Sequence, residues 1–193
     1  MADFDEAYDI TLNHEGGYSN DVIDAGGETY KGISRKYHPN WLGWSIIDES
    51  KLKSNFPHNL RDNNKLNSII RLFYKENYWN LFWGDDIPNQ RIANEMFDTG
   101  VNMGIGRAVK YLQKGLNLLN RNQKNYPDIV EDGAFGPNTI STLNKYLDID
   151  DELFLLKIMN LCQGMHYMDY MTKSPTQERF ARGWLSRVSI TKN

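Results

Sequence analysis

Residues 14–34 read HEGGYSNDVIDAGGETYKGIS. A carboxylate, Glu15, stands directly before two glycines. Two aspartates, a second glycine pair, a threonine and a Lys-Gly turn follow within twenty positions. Upstream, Asp3 with Glu6 three residues on has the form of a capping box, and Phe4, Ala7 and Tyr8, with the apolar positions of 10–12, make the apolar stripe of a short helix. Gly16 or Gly17 suits the stop of that helix. Turn residues and short alternating segments from Tyr18 to Ser34 predict a small hairpin.

The rest of the chain reads as helix. Asp62 or Asn63 opens a segment with Leu66, Ile69, Ile70 and Phe73 on one face, after a short helix over about 45–55. A second runs from about Pro88 to Met103, with Ile92, Ala93, Met96, Phe97 and Val101 turned one way, and Gly104 ends it. Val109, Leu112, Leu116 and Leu119 mark a third, followed by a polar loop to Gly136 and a short helix that Pro137 begins. Asp150 opens a long helix to about Thr172, and Thr176 begins the last, carrying Phe180 and Trp184. The pattern predicts a mainly α (α+β) fold with one small β element after the first helix.

Composition narrows the function. At 193 residues with 40% hydrophobic and 24% charged residues, the chain reads as a globular domain. No stretch approaches the ~18 apolar residues of a membrane span. The acidic start MADFDEAYDI has no basic region before an apolar core, so no secretory signal is expected. Cys162 is the only cysteine, which excludes an intramolecular disulfide and reads as a buried thiol. Residues 1–30 carry eight acidic side chains and no Lys or Arg, whereas the last twenty residues are mostly basic in their charges. Two solvated faces, or an acidic cleft lip and a basic terminal helix, both fit. A net charge of −3, with no basic stripe of interleaved aromatics, argues against a nucleic-acid partner.

Glu15 sits where carbonyls at a helix C-terminus carry negative partial charge, with Asp21 and Asp24 close in sequence. Both influences oppose its ionisation, as a general acid requires. Read plainly, it is also a surface glutamate at a frayed helix end. A hairpin would return Asp24 toward Glu15, with Thr29 as a hydroxyl that positions water; paired carboxylates are the usual equipment of glycoside hydrolysis. Asp24 before Ala-Gly-Gly equally suits an Asx turn. His14, His38, His58 and His166 lack metal-ligand spacing, and no phosphate loop is present, so neither metal nor cofactor is expected.

The run EGGYSNDVIDAGGETYKGIS resembles the opening signature of glycoside hydrolase family 108, the N-acetylmuramidases often found as phage-type lysozymes, some of whose relatives are labelled secretion activator proteins. The likeness continues through LFYKENYWN, FDTGVNMGIGRAVKYLQKGLN, EDGAFGPNTISTLN and RFARGWLSRV, and so covers nearly the whole chain. It implies a lysozyme-like fold that cleaves the β-1,4 bond after N-acetylmuramic acid in peptidoglycan. In that family the glutamate of Glu-Gly-Gly-Tyr is catalytic, which falls on Glu15. Asp24 matches the Asp of Asp-x-Gly-Gly, and Thr29 the Thr three residues before Gly-Ile.

FDTGVNMG is similar to the segment that lines the sugar cleft of phage lysozymes. Asp98 and Asn102 are therefore candidate substrate contacts, although Asn102 also suits a helix cap. Tyr18, Tyr30, Tyr37, Trp41 and Trp44 are candidates to stack on pyranose faces or to fill the core. DGAFGPNT resembles the turn of small peptidoglycan-binding modules, so one lysozyme-like domain is expected, with residues 1–97 its catalytic part and 98–193 a predicted peptidoglycan part packed on it. The expected partner is a glycan strand of the cell wall, met by a monomer made in the cytoplasm and acting at the wall or periplasm. A lytic transglycosylase and a catalytically inert wall-binding or secretion-related protein fit the same residues.

Overall fold

A computed structural model describes residues 1–12, 17–20 and 27–189. Glu15, Asp21 and Asp24 lie outside these residues. The chain is mainly helical with one small antiparallel sheet after the first helix, and it gathers into two compact units: residues 8–77, and residues 1–7 with 78–193. Helix α1 (Phe4–Leu12) runs through the boundary.

In the unit of residues 8–77, β1 (Tyr18–Asn20), β2 (Glu28–Tyr30) and β3 (Ile33–Ser34) form a three-stranded sheet in that order. The hairpin read from the sequence is thus extended by one more short strand. Lys31 and Gly32 join β2 to β3 with φ of 49° and 77°, the left-handed pair that a two-residue hairpin loop needs. The Tyr74 hydroxyl donates to the Lys31 carbonyl at 2.6 Å and holds that turn. Tyr74 comes from α3 (Asn64–Asn77), whose first turn is capped by Asn63: its side-chain oxygen accepts from the Leu66 N–H at 3.0 Å. Leu66, Ile70, Phe73 and Tyr74 form the buried stripe of α3.

Helix α2 (Gly43–Lys51) begins two residues before the sequence suggests. Its Asp48 and Lys51 complete an ion-pair network with Glu28 and Arg35, in which Lys51 reaches Glu28 at 2.7 Å and Asp48 at 2.9 Å, and Arg35 pairs with both carboxylates. Hydrogen bonds from Arg35 and then Lys51 hold the Asp48 carboxyl down at about 2. Trp44 is 3% exposed and its Nε1 donates to the His38 carbonyl at 2.7 Å, so this ring belongs to the core.

The other unit is built on α4 (Gln90–Met103), α5 (Ile105–Leu119) and α7 (Glu152–Lys173), which pack on one another, with α6 (Pro137–Leu147) against α5. Gly104, at φ 89°, separates α4 from α5 and donates its N–H to the Gly100 carbonyl. The chain start is fastened here as well: Ala2 N–H reaches the Ile87 carbonyl, and Asp3 exchanges two hydrogen bonds with the Gln90 side chain. Asp3 caps α1 through the Asp5 and Glu6 N–H groups, but the reciprocal half of the expected capping box is missing. The Asp3 N–H is taken by Gln90, and Glu6 accepts from Asn94.

Phe4, Trp79, Phe82 and Phe97 meet edge to face at centroid distances of 5.3–6.0 Å. Trp79 Nε1 donates to Asp85 at 2.7 Å, and a Cβ on Gly84 would stand 2.2 Å from the Trp79 ring, so a glycine is required there. The last expected helix is divided into a 3-10 turn (Pro175–Phe180) and α8 (Ala181–Leu185). Cys162 is half-buried rather than fully enclosed, and burial still pushes its thiol up.

The polar loop after α5 is anchored by amide side chains on that helix and at its end. Gln113 Nε2 donates to Asp132 at 2.9 Å while its Oε1 accepts from the Gly133 N–H at 2.9 Å. Asn117 pairs with both backbone groups of Ile129, and Asn120 donates to Asp128. These three positions, i, i+4 and i+7, share one face. Gly133 has φ 79° and lies so near α5 that a Cβ would be 2.6 Å from the Gly106 carbonyl oxygen. Between α4 and α7, Glu95 accepts from Thr99 and Asn160, while Asp98 accepts from Gln163 and, at 2.6 Å, from Arg187. Among the described residues, no helix is long and apolar enough to cross a membrane.

Two stability predictions follow from these polar clusters. Gln113→Leu keeps the shape but leaves the Gly133 N–H without its acceptor, a loss of about 1–3 kcal/mol. The thermal midpoint should then drop by roughly 3–9 °C; a shift under ~2 °C would show that the loop does not depend on Gln113. The second concerns Glu95, whose carboxyl is pushed up to about 7 by burial first and by the Asp98 charge next. The folded protein therefore holds a proton that the unfolded chain releases, so this stability is complete below about pH 4.5 and is lost as pH rises through 7. Glu95→Gln should flatten the decline in thermal midpoint between pH 4.5 and 7.5, by on the order of 2 kcal/mol. Parallel curves for both proteins would rule Glu95 out as its source.

Candidate active site

A cleft of about 670 Å³ opens within the unit of residues 8–77. One wall comes from the sheet. Tyr18 and Tyr30 are direct cross-strand partners, and both line the cleft together with Gly17 and Lys31. The register explains this placement: Tyr18 pairs with Tyr30, whereas Thr29 pairs with Ser19 and Ser34. Successive strand side chains alternate between faces, so Thr29 stands on the opposite face from Tyr30.

Tyr30 is 3% exposed and presents little more than an edge, while Tyr18 keeps an intermediate exposure. The Tyr18 ring sits edge-on to Phe56 at 4.7 Å, with the Lys51 ammonium 5.9 Å from its centre. Burial and then the Glu28 carboxylate raise its hydroxyl pKa, so the group remains a protonated donor. Burial likewise raises Tyr30, against the pull of Arg61.

The facing wall is formed by Tyr8 of α1, by His58 and Arg61 around a 3-10 turn (His58–Leu60), and by Asn67, Ile70 and Arg71 of α3. Arg71 lies over the Tyr8 ring at 4.5 Å and pairs with Asp9 at 3.2 Å. Burial raises the Tyr8 hydroxyl to about 12 against the opposing charge of Arg71. Asn67 donates to the Arg61 carbonyl at 3.1 Å and fixes the backbone from which that guanidinium extends. No Asp or Glu is present among the described lining residues. The described wall of the cleft carries Lys31, His58, Arg61 and Arg71. Sequence reasoning missed this because Lys31, His58, Arg61 and Arg71 come from three separate elements; only the Lys-Gly turn carried a local signal.

Asp98 and Asn102 belong to the other unit, one turn apart on α4. The Asp98 carboxylate is engaged by Arg187 and Gln163, and Asn102 Nδ2 donates back to the Asp98 carbonyl at 2.8 Å. Tyr37 is 66% exposed with Lys36 over its ring, and Trp41 packs edge-on to Trp44 and Phe73.

Comparison with known proteins agrees with this architecture. Residues 8–104 match the Glycosyl hydrolase 108 family, and residues 107–189 match the family described as Predicted Peptidoglycan domain. No curated protein matches the chain. The solved structure of SagA from Brucella abortus is similar in fold, with a TM-score of 0.60 at 24% sequence identity, over 96% of this chain and 88% of that one. The first family match alone spans half of the sequence, and the mainly α, lysozyme-like fold is the one its opening signature implies. The chain belongs to glycosyl hydrolase family 108 and carries a predicted peptidoglycan domain in its second half.

Proposed function

We propose that this glycoside hydrolase is an N-acetylmuramidase that hydrolyses the β-1,4 bond between N-acetylmuramic acid and N-acetylglucosamine at the bacterial cell wall. The observation that carries this reading is the Glu-Gly-Gly-Tyr run of a family 108 member, whose Gly17 and Tyr18 line the cleft of residues 8–77. Glu15, two residues before Gly17, is the general acid that protonates the glycosidic oxygen. Asp24 orients the attacking water or stabilises the oxocarbenium-like centre.

Tyr18, with the edge of Tyr30 beside it, provides an aromatic surface whose hydroxyls stay protonated, suited to a pyranose ring and its hydroxyl groups. The Asn102 amide, held by Asp98, is our candidate for contact with an N-acetyl group. Residues 1–97 act as the catalytic part and 98–193 as the part that keeps the protein on the glycan.

The decisive measurement is the mass of fragments released from purified sacculi. Products should end in reducing N-acetylmuramic acid. Glu15→Gln should release them at least ~10²-fold more slowly, the usual scale for general acid catalysis, while melting within a few degrees of the parent. Products lighter by one water, with 1,6-anhydro ends, would identify a transglycosylase. Binding without release, unaltered by Glu15→Gln, would identify an inert wall protein.

Asp24→Asn tests the second group by the same assay. A fall of 10-fold or more with unchanged binding to sacculi is expected, and full activity would remove Asp24 from the mechanism.

A further inference from the structure

The cationic lining of the cleft is not explained by an uncharged sugar. Lys31 and Arg61 place two permanent positive charges around a space of about 670 Å³, with His58 beside them and Arg71, ion-paired with Asp9, on the same wall. Their backbones are fixed. The Lys31 turn is clamped by Tyr74 and Arg61 by Asn67. Gathering like charges around a low-dielectric concavity raises the local concentration of anions and favours one that enters. Arginine forks accept carboxylates in bidentate fashion, and the protonated Tyr8 hydroxyl adds a donor on the same wall.

In a peptide-substituted glycan strand the sugars are N-acetylated and neutral, and the lactyl group of muramic acid is tied up as an amide. Its anions are the free carboxylates of the stem peptide. We propose that the cleft of residues 8–77 holds a stem-peptide carboxylate subsite formed by Arg61 with Lys31, so that the enzyme recognises peptide-bearing strands rather than bare polysaccharide. The inference rests on the muramidase reading, and it assigns the chemistry of the substituent rather than of the scissile bond.

The test separates the two claims by measuring binding without turnover. The full chain carrying Glu15→Gln is titrated with native sacculi free of teichoic acid, and with the same sacculi after carbodiimide coupling to ammonia, which converts carboxylates to carboxamides and leaves the glycan intact. Native sacculi should bind about 10-fold or more tightly than amidated ones, the scale of one charge-assisted hydrogen-bonded pair. Adding Arg61→Gln should bring that ratio to within about threefold, and Arg61→Lys should retain part of it.

Equal affinity for the two sacculi, no binding to native sacculi, or discrimination that survives both Arg61→Gln and Lys31→Gln would overturn the subsite. Should the discrimination hold while the parent enzyme releases no reducing ends from either material, the carboxylate subsite stands and the muramidase reading falls.

Discussion

Gln113 is the point on which the order of the larger unit depends. Its helix α5 buries Ala108, Val109, Leu112 and Leu116 completely on one side, where α4 and α7 pack. On the other side Gln113 offers a donor and an acceptor to a loop with few hydrogen bonds of its own. A buried carboxamide is favourable only when both ends are matched, because an orphaned amide in that setting loses the whole desolvation term. Asp132 and Gly133 supply the match, and Asn117 and Asn120 repeat the device along the helix. A stretch without regular secondary structure is in this way held by α5.

The smaller unit uses charge where the larger one uses amides. Glu28, Arg35, Asp48 and Lys51 alternate in sign and connect β2, the segment after β3, and α2. Each pair is partly solvated and contributes modestly by itself. As a network they give Glu28 two cations to answer, and its carboxyl is lowered despite the opposing effect of burial. That matters for chemistry, since Glu28 is thereby set as a structural anion beside Tyr18 instead of a second titrating acid in the cleft. Glu28 and Asp48 are answered by Arg35 and Lys51, so neither draws on Lys31 or Arg61 of the cleft.

Much of this was legible in the sequence where one local rule sufficed. The apolar stripes of α3, α4 and α5, the Gly104 break and the Pro137 start are one-dimensional signals, and the helices appear within a few residues of them. The turn at Lys31-Gly32 announced the hairpin. What stayed hidden required pairing across distance. Gln90 displaced Glu6 from the Asp3 N–H, so a box complete in sequence formed only half. Asp98 takes a hydrogen bond from Arg187, 89 positions later, a partner that no local spacing indicates. That Thr29 and Tyr30 point opposite ways follows from strand alternation, but which of them faces the cleft does not. The cations of the cleft were spread over 40 positions, each one unremarkable by itself.

The approach of Gly133 to Gly106 has a different kind of consequence. Contact there is between main chains, with no room for a Cβ at Gly133, and the recognition of the loop by Gln113 runs through the Gly133 N–H and Asp132. Neighbouring side chains such as Val130, Ala134 and Asn138 point away from that contact and are exposed. Frame and surface are therefore written in separate alphabets along one loop. Sequence drift at the exposed letters alters the surface of the loop while its path is kept, which lets this segment vary without refolding.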